Sequence, residues 1–218
     1  MAKEERVWIA GPAGGIEASW GPPEGVDSAG GRLAAAVCHP HPLHGGTMDN
    51  KVVTTLARTF RRLGLPTVRF NFRGAGGSEG EHDGGVGEVE DLAAVVSWLA
   101  ERTGAGRVLV AGFSFGSGVA SNFAVSDPRA LGVLLVAPPV GRYGFAPVAG
   151  YPCPAAILIG ADDELVDVAQ VRAWAETRRP PVPVTVLPAT GHFFHGRLVD
   201  LARAAEEAVR PWLAEAAR

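Results

Sequence analysis

From residue 33 to the end of the chain, short apolar runs alternate with segments of helical periodicity, and this alternation restricts the possible folds more than any other feature. Residues 33–38, 67–72, 107–111, 131–137, 155–160 and 182–187 read as strands. Residues 51–63, 86–102, 115–125, 168–177 and 198–213 read as helices. In the first helix Val52, Leu56, Thr59, Phe60 and Leu63 share a face, and Gly64 supplies a stop. In the second, Val89, Leu92, Val96 and Leu99 do the same. The strands are apolar on successive residues, as expected where both faces are covered. Strand–helix alternation with short connections implies right-handed crossovers and a mostly parallel sheet between two helical layers. Ahead of it, residues 6–10 and 15–20 predict an antiparallel hairpin at a sheet edge. The expected count is about eight strands in one domain over residues 1–218, with no repeat or linker interrupting the pattern.

Composition removes several classes of function. No apolar stretch approaches the roughly eighteen residues of a membrane span. The N-terminal Met-Ala-Lys-Glu-Glu-Arg has no signal-peptide apolar core. Cys38 and Cys153 form no CxxC pair and sit in or beside apolar runs, so a reduced, cytoplasmic protein without a disulfide is expected. A net charge of −3 gives no basis for binding nucleic acid.

In an open parallel sheet the ligand site lies at the carboxyl ends of the strands, so the loops after strands deserve inspection first. The strand 107–111 runs into Gly112-Phe113-Ser114-Phe115-Gly116 and then a helix. This is G-x-S-x-G in its strand–turn–helix setting, which lifts a serine hydroxyl above the sheet on a strained backbone. The helix N-terminus behind it favours a developing negative charge. Ser114 is therefore the candidate nucleophile.

A serine needs a base, and the base needs an orienting acid. Both partners can come from later strand ends in the order acid, then histidine. The strand 155–160 is followed by Asp162, Asp163 and Glu164, among which spacing alone does not choose. The strand 182–187 is followed by Gly191-His192, with His195 three residues on. His192 is the expected base, and His195 reads as a surface or helix-start residue. An oxyanion hole needs two aimed N–H donors. One is expected from Phe115, after the nucleophile. The other should come from the loop His39-Pro40-His41-Pro42-Leu43-His44-Gly45-Gly46. The two prolines carry no N–H, which leaves His41 or Leu43, with His41 preferred. His39, His41 and His44 also suggest a metal cluster, but the alternating prolines restrict how the rings can converge, and no metal is assigned. Gly74-Ala75-Gly76-Gly77-Ser78-Glu79 imitates a dinucleotide loop but has Glu79 at the third glycine position and no helix start. It reads as a tight loop beside the site.

Together the segments at 39–48, 69–74, 112–116, 163–166 and 191–195 resemble the small bacterial α/β-hydrolases, serine hydrolases without an assigned natural substrate, near the dienelactone-hydrolase-like branch. The resemblance implies an α/β-hydrolase fold, a triad of Ser114, Asp163 and His192, and no cofactor. It departs from true dienelactone hydrolases, which use a cysteine where this chain has Ser114.

The expected activity is cleavage of small carboxylic esters or thioesters through an acyl-enzyme. Acyl transfer and cofactor-free perhydrolysis use the same site, and a non-catalytic binding protein of this fold is the alternative from another class. Between the strands 131–137 and 155–160 the chain has too many prolines and glycines for a long helix, so no cap domain is expected. Tyr143 and Phe145 in that segment are candidate walls for the substrate.

Overall fold

The computed structural model describes residues 4–24, 32–142 and 148–218. Eight strands form one sheet in the order β1-β2-β4-β3-β5-β6-β7-β8. β1 (Glu5–Gly11) and β2 (Gly14–Gly21) make the edge hairpin, and β2 lies antiparallel to β4 (Thr67–Phe70). β3 (Leu33–Cys38), β5 (Arg107–Phe113), β6 (Ala130–Val136), β7 (Ala155–Gly160) and β8 (Val184–Leu187) continue from β4 in parallel. The helices are α1 (Lys51–Arg62), α2 (Gly87–Thr103), α3 (Phe115–Ser126), α4 (Val168–Glu176) and α5 (Leu198–Ala216).

The period of two along each strand divides the core into two layers. Ala34, Ala36, Val108 and Val110 pack with Leu92, Val96, Val119 and Val171, so α2, α3 and α4 cover one face. Leu33, Ala35, Leu109 and Ala111 pack with Leu56, Phe60, Leu201 and Val209, so α1 and α5 cover the other. This double covering explains why the central strands show no alternation of polar and apolar residues.

Several strand ends differ from the sequence pattern by a residue or two, and two of the differences have a clear local reason. β4 stops at Phe70, because Phe72 gives its N–H to the ring of His39 rather than to a neighbouring strand. β8 starts at Val184, directly after Pro183, which has no N–H to pair. β5 runs on to Phe113, directly before Ser114. No cap domain is present among the described residues, and no helix there is long and apolar enough to cross a membrane.

Leu56 is fully buried between α1 and the sheet. Leu56→Ala is expected to lower stability by about 2–5 kcal/mol, read as a lower urea midpoint at unchanged m-value. A change below about 0.5 kcal/mol, as at surface sites, would contradict this packing.

Candidate active site

Ser114 sits between β5 and α3 with φ 52° and ψ −120°, a conformation that L-residues rarely adopt. It is held there by close backbone packing. A Cβ on Gly112 would collide with the Gly116 carbonyl oxygen, and a Cβ on Gly116 with the carbonyl oxygen of His39. The Ser114 N–H donates to Val136 O at 2.9 Å, which ties the turn to β6.

The loops after β7 and β8 bring two more side chains to this point. His192 Nε2 lies 3.2 Å from Ser114 Oγ. On the other side of the ring, Nδ1 lies 3.0 and 2.9 Å from the two oxygens of Asp163. A neutral imidazole with its proton on Nδ1 satisfies both contacts and turns a lone pair toward the serine hydroxyl. Asp163 is fixed in turn. Its Oδ1 accepts the N–H groups of Leu165 and Val166 at 2.9 and 2.8 Å, and its carboxyl is fully buried. The His192 ring lies between Phe113 and Phe193, each 5.1 Å away between centroids.

Of the three competing acids, only Asp163 meets the histidine ring. Asp162 is exposed, its backbone N–H bonded to Thr190 O at 2.9 Å. Glu164 has a part that the sequence reading missed: it accepts the backbone N–H of His192 at 3.0 Å. That bond, with one from its own N–H, holds the Glu164 carboxyl below the usual carboxylate range. Its appearance beside Asp163 was the only hint in the sequence. His195 is exposed, with its ring against Phe193.

Phe115 occupies the first position of α3, among the N–H groups that have no partner within the helix. The loop after β3 forms a single 3₁₀ turn, Pro42–His44, with His41 at its N-cap. The N–H groups of His44 and Gly46 go to His41 O, and that of Gly45 goes to Pro42 O. The Leu43 N–H goes to His41 Nδ1 at 3.3 Å. These four donors are used within the loop. The His41 and Phe115 rings are 4.9 Å apart.

His39 lies in the core, not in the site. Its Nε2 accepts the Phe72 N–H at 3.0 Å and its Nδ1 donates to Pro40 O at 2.6 Å. Both nitrogens are engaged, and burial pushes its pKa down to about 4, so the ring is neutral at pH 7. Among the described residues no group of three His, Cys, Asp or Glu is placed to hold a metal ion. Tyr143 and Phe145 lie outside the described residues. A groove of about 470 Å³ opens beside the histidine–aspartate pair, lined by Arg142, Ala161 and residues 163–168.

The alpha/beta hydrolase fold profile matches residues 43–140. An α/β serine hydrolase homologue from Coxiella burnetii is 43% identical and superposes with a TM-score of 0.88 over 95% of this chain and 97% of that one. This chain belongs to the α/β-hydrolase family. A second α/β serine hydrolase, a lidless one from Xanthomonas campestris, is 37% identical with a TM-score of 0.88, covering 96% of this chain and 95% of that chain. An uncharacterised protein of Rickettsia prowazekii is 32% identical over 208 residues, 91% of this chain and 86% of its own length. Membership in the α/β-hydrolases supports hydrolase activity, and it accounts for the strained serine between β5 and α3.

The elbow packing has a direct consequence. Gly116→Ala is expected to destabilise the protein by about 1–3 kcal/mol or more, since the clash is with backbone that cannot swing aside. Gly106→Ala, where a Cβ meets nothing within 4 Å, serves as the control and should change the melting temperature little. Equal melting temperatures for the two variants would contradict the close approach of α3 to β3.

Proposed function

We propose that this protein is a serine hydrolase that cleaves small carboxylic esters or thioesters through an acyl-enzyme. The observation that carries the reading is the line from Asp163 through His192 to Ser114 Oγ, with contacts of 2.9 and 3.2 Å. Ser114 Oγ attacks the substrate carbonyl carbon while His192 Nε2 takes its proton. The imidazolium so formed is stabilised by Asp163, which also fixes the tautomer. The backbone N–H groups of Phe115 and His41 hold the oxyanion. As the tetrahedral intermediate collapses, the C–O or C–S bond breaks, and His192 returns the proton to the departing alcohol or thiol. Water then repeats the sequence on the acyl-serine, releasing the acid and regenerating Ser114.

The open site supports a preference for short acyl groups. Leu43, Leu165 and Phe193 are exposed on the loops after β3, β7 and β8 and offer apolar surface on the loops that carry the candidate site. Each buried methylene adds about 0.8 kcal/mol, but only while wall remains to cover it.

Ser114→Ala should remove turnover of p-nitrophenyl acetate and labelling by a fluorophosphonate probe without loss of fold. Turnover at the wild-type rate in that variant would refute the assignment. Asp163→Asn should lower kcat by about 10⁴ by favouring the wrong histidine tautomer. Asp162→Asn should alter the barrier by no more than about 0.5 kcal/mol. The reverse order would identify Asp162 as the acid.

Across p-nitrophenyl esters, kcat/KM should peak at about two to six acyl carbons. A steady rise into long chains, or a jump above the critical micelle concentration, would show an enclosed acyl tunnel instead.

A further inference from the structure

The loop that offers the His41 N–H also contains the His41 side chain, and the two are linked. The 3₁₀ turn Pro42–His44 is only three residues long and is closed by backbone bonds to His41 O and Pro42 O. Its N-cap is the ring of His41, whose Nδ1 accepts the Leu43 N–H. That bond sets the tautomer, because an accepting Nδ1 requires the proton on Nε2. It also sets the protonation state, since an imidazolium would have two donors and could not accept.

The same ring is fixed against its surroundings. It stacks on His44 at 4.5 Å and lies against His82 at 4.8 Å and Phe115 at 4.9 Å. His82 also packs on Phe115, at 5.3 Å, so the three rings close a triangle. Beneath it, His82 Nδ1 lies 2.6 Å from Glu88 Oε1, and Glu88 is fully buried at the start of α2. The His41 ring thus touches the residue that would supply the other oxyanion donor and caps the turn that would supply its own.

Resting on the serine-hydrolase reading, we propose that the neutral His41 imidazole is a positioning residue that fixes the spacing of the two oxyanion N–H groups by capping its own turn and bracing Phe115. Burial and the neighbouring His44 and His82 rings keep His41 below the ordinary histidine range, with Glu88 pulling the other way, and this favours the neutral form that the cap requires. Among the described residues His39, two residues earlier, is a further titratable group beside this ring, and its own depressed pKa reflects His41 among its causes.

The proposal distinguishes a cap from a general packing residue. Asparagine is a strong N-cap acceptor and can replace Nδ1, whereas alanine cannot and phenylalanine restores only the ring. His41→Ala should lower kcat on p-nitrophenyl acetate by about 10- to 100-fold with KM little changed, because the misplaced donor matters in the tetrahedral state. Binding of a phenylboronic acid, whose serine adduct carries an oxyanion, should weaken by a similar factor. His41→Phe should behave like His41→Ala, and His41→Asn should recover most of the lost kcat. Melting temperatures of all variants report folding separately. Asparagine as impaired as alanine at equal melting temperature, or an alanine variant with undiminished kcat, overturns the proposal while the hydrolase reading stands. Wild-type protein that neither hydrolyses the ester nor takes the fluorophosphonate label overturns both.

Discussion

Helix α3 passes so close to the ends of β3 and β5 that there is room only for hydrogen atoms at Gly112 and Gly116, and the geometry of the site follows from that approach. With the helix so near, the chain has no space for a gradual turn between β5 and α3. The reversal falls on Ser114, which takes a positive φ at a local expense of about 1–3 kcal/mol. The surrounding core maintains it. β3 is built of Leu33, three alanines, Val37 and Cys38, all fully or nearly fully buried, and its small side chains allow the helix to approach. The strain is thus a product of tight packing, and it directs a hydroxyl out of a core that is otherwise closed.

The later strands then bring a histidine to a point that is already fixed. They do so with hydrogen bonds rather than bulk. Asp163 is held by two backbone N–H groups from its own loop, and Glu164 holds the backbone of His192. Adjacent carboxylates therefore act on the same histidine from two directions, one on the ring and one on the main chain. Both loops leave neighbouring parallel strands, since β7 pairs with β8, and the sheet register sets how far apart they start.

Much of this is legible in the sequence, and the unread remainder has a common cause. The alternation of strands and helices, the edge hairpin and the position of Ser114 follow from local pattern, because both faces of the sheet are covered and the periodicities are clear. The strand ends were harder, because they depend on partners far away: Phe72 leaves β4 for a histidine thirty-three residues earlier. Choosing among Asp162, Asp163 and Glu164 needed the family resemblance for the same reason, as neighbours in sequence point in different directions. No local signal marks His82, whose ring reaches His41 and Phe115 only through tertiary packing. His39 and His41 make the point most directly. They are the same residue type two positions apart, yet one is a core group with both nitrogens engaged and the other caps a turn at the site.

A site without a cap must obtain its rigidity from below. Where a lid closes, binding can assemble the hole and expel water at once. On the proposed reading the donors have to be in place before the substrate arrives, because stabilisation of a developing charge depends on dipoles that need not reorganise. The loop after β4 shows how that is arranged. Asp91, fully buried on α2, accepts the backbone N–H of Arg73 at 3.0 Å and its guanidinium at 2.8 Å. Glu88, one turn earlier, accepts the N–H groups of Asp83 and Gly85 at 2.9 and 2.8 Å and meets His82. Glu17 on β2 accepts from Asn71 and Gly77 at 2.7 and 2.8 Å. Burying carboxylates is costly unless every bond is made, so such a network adds little to net stability and tolerates few alternative conformations. A loop anchored in this way holds the His82 ring against His41 and Phe115. Selectivity in a hydrolase built like this rests on what the rim admits, since no cap domain is present among the described residues.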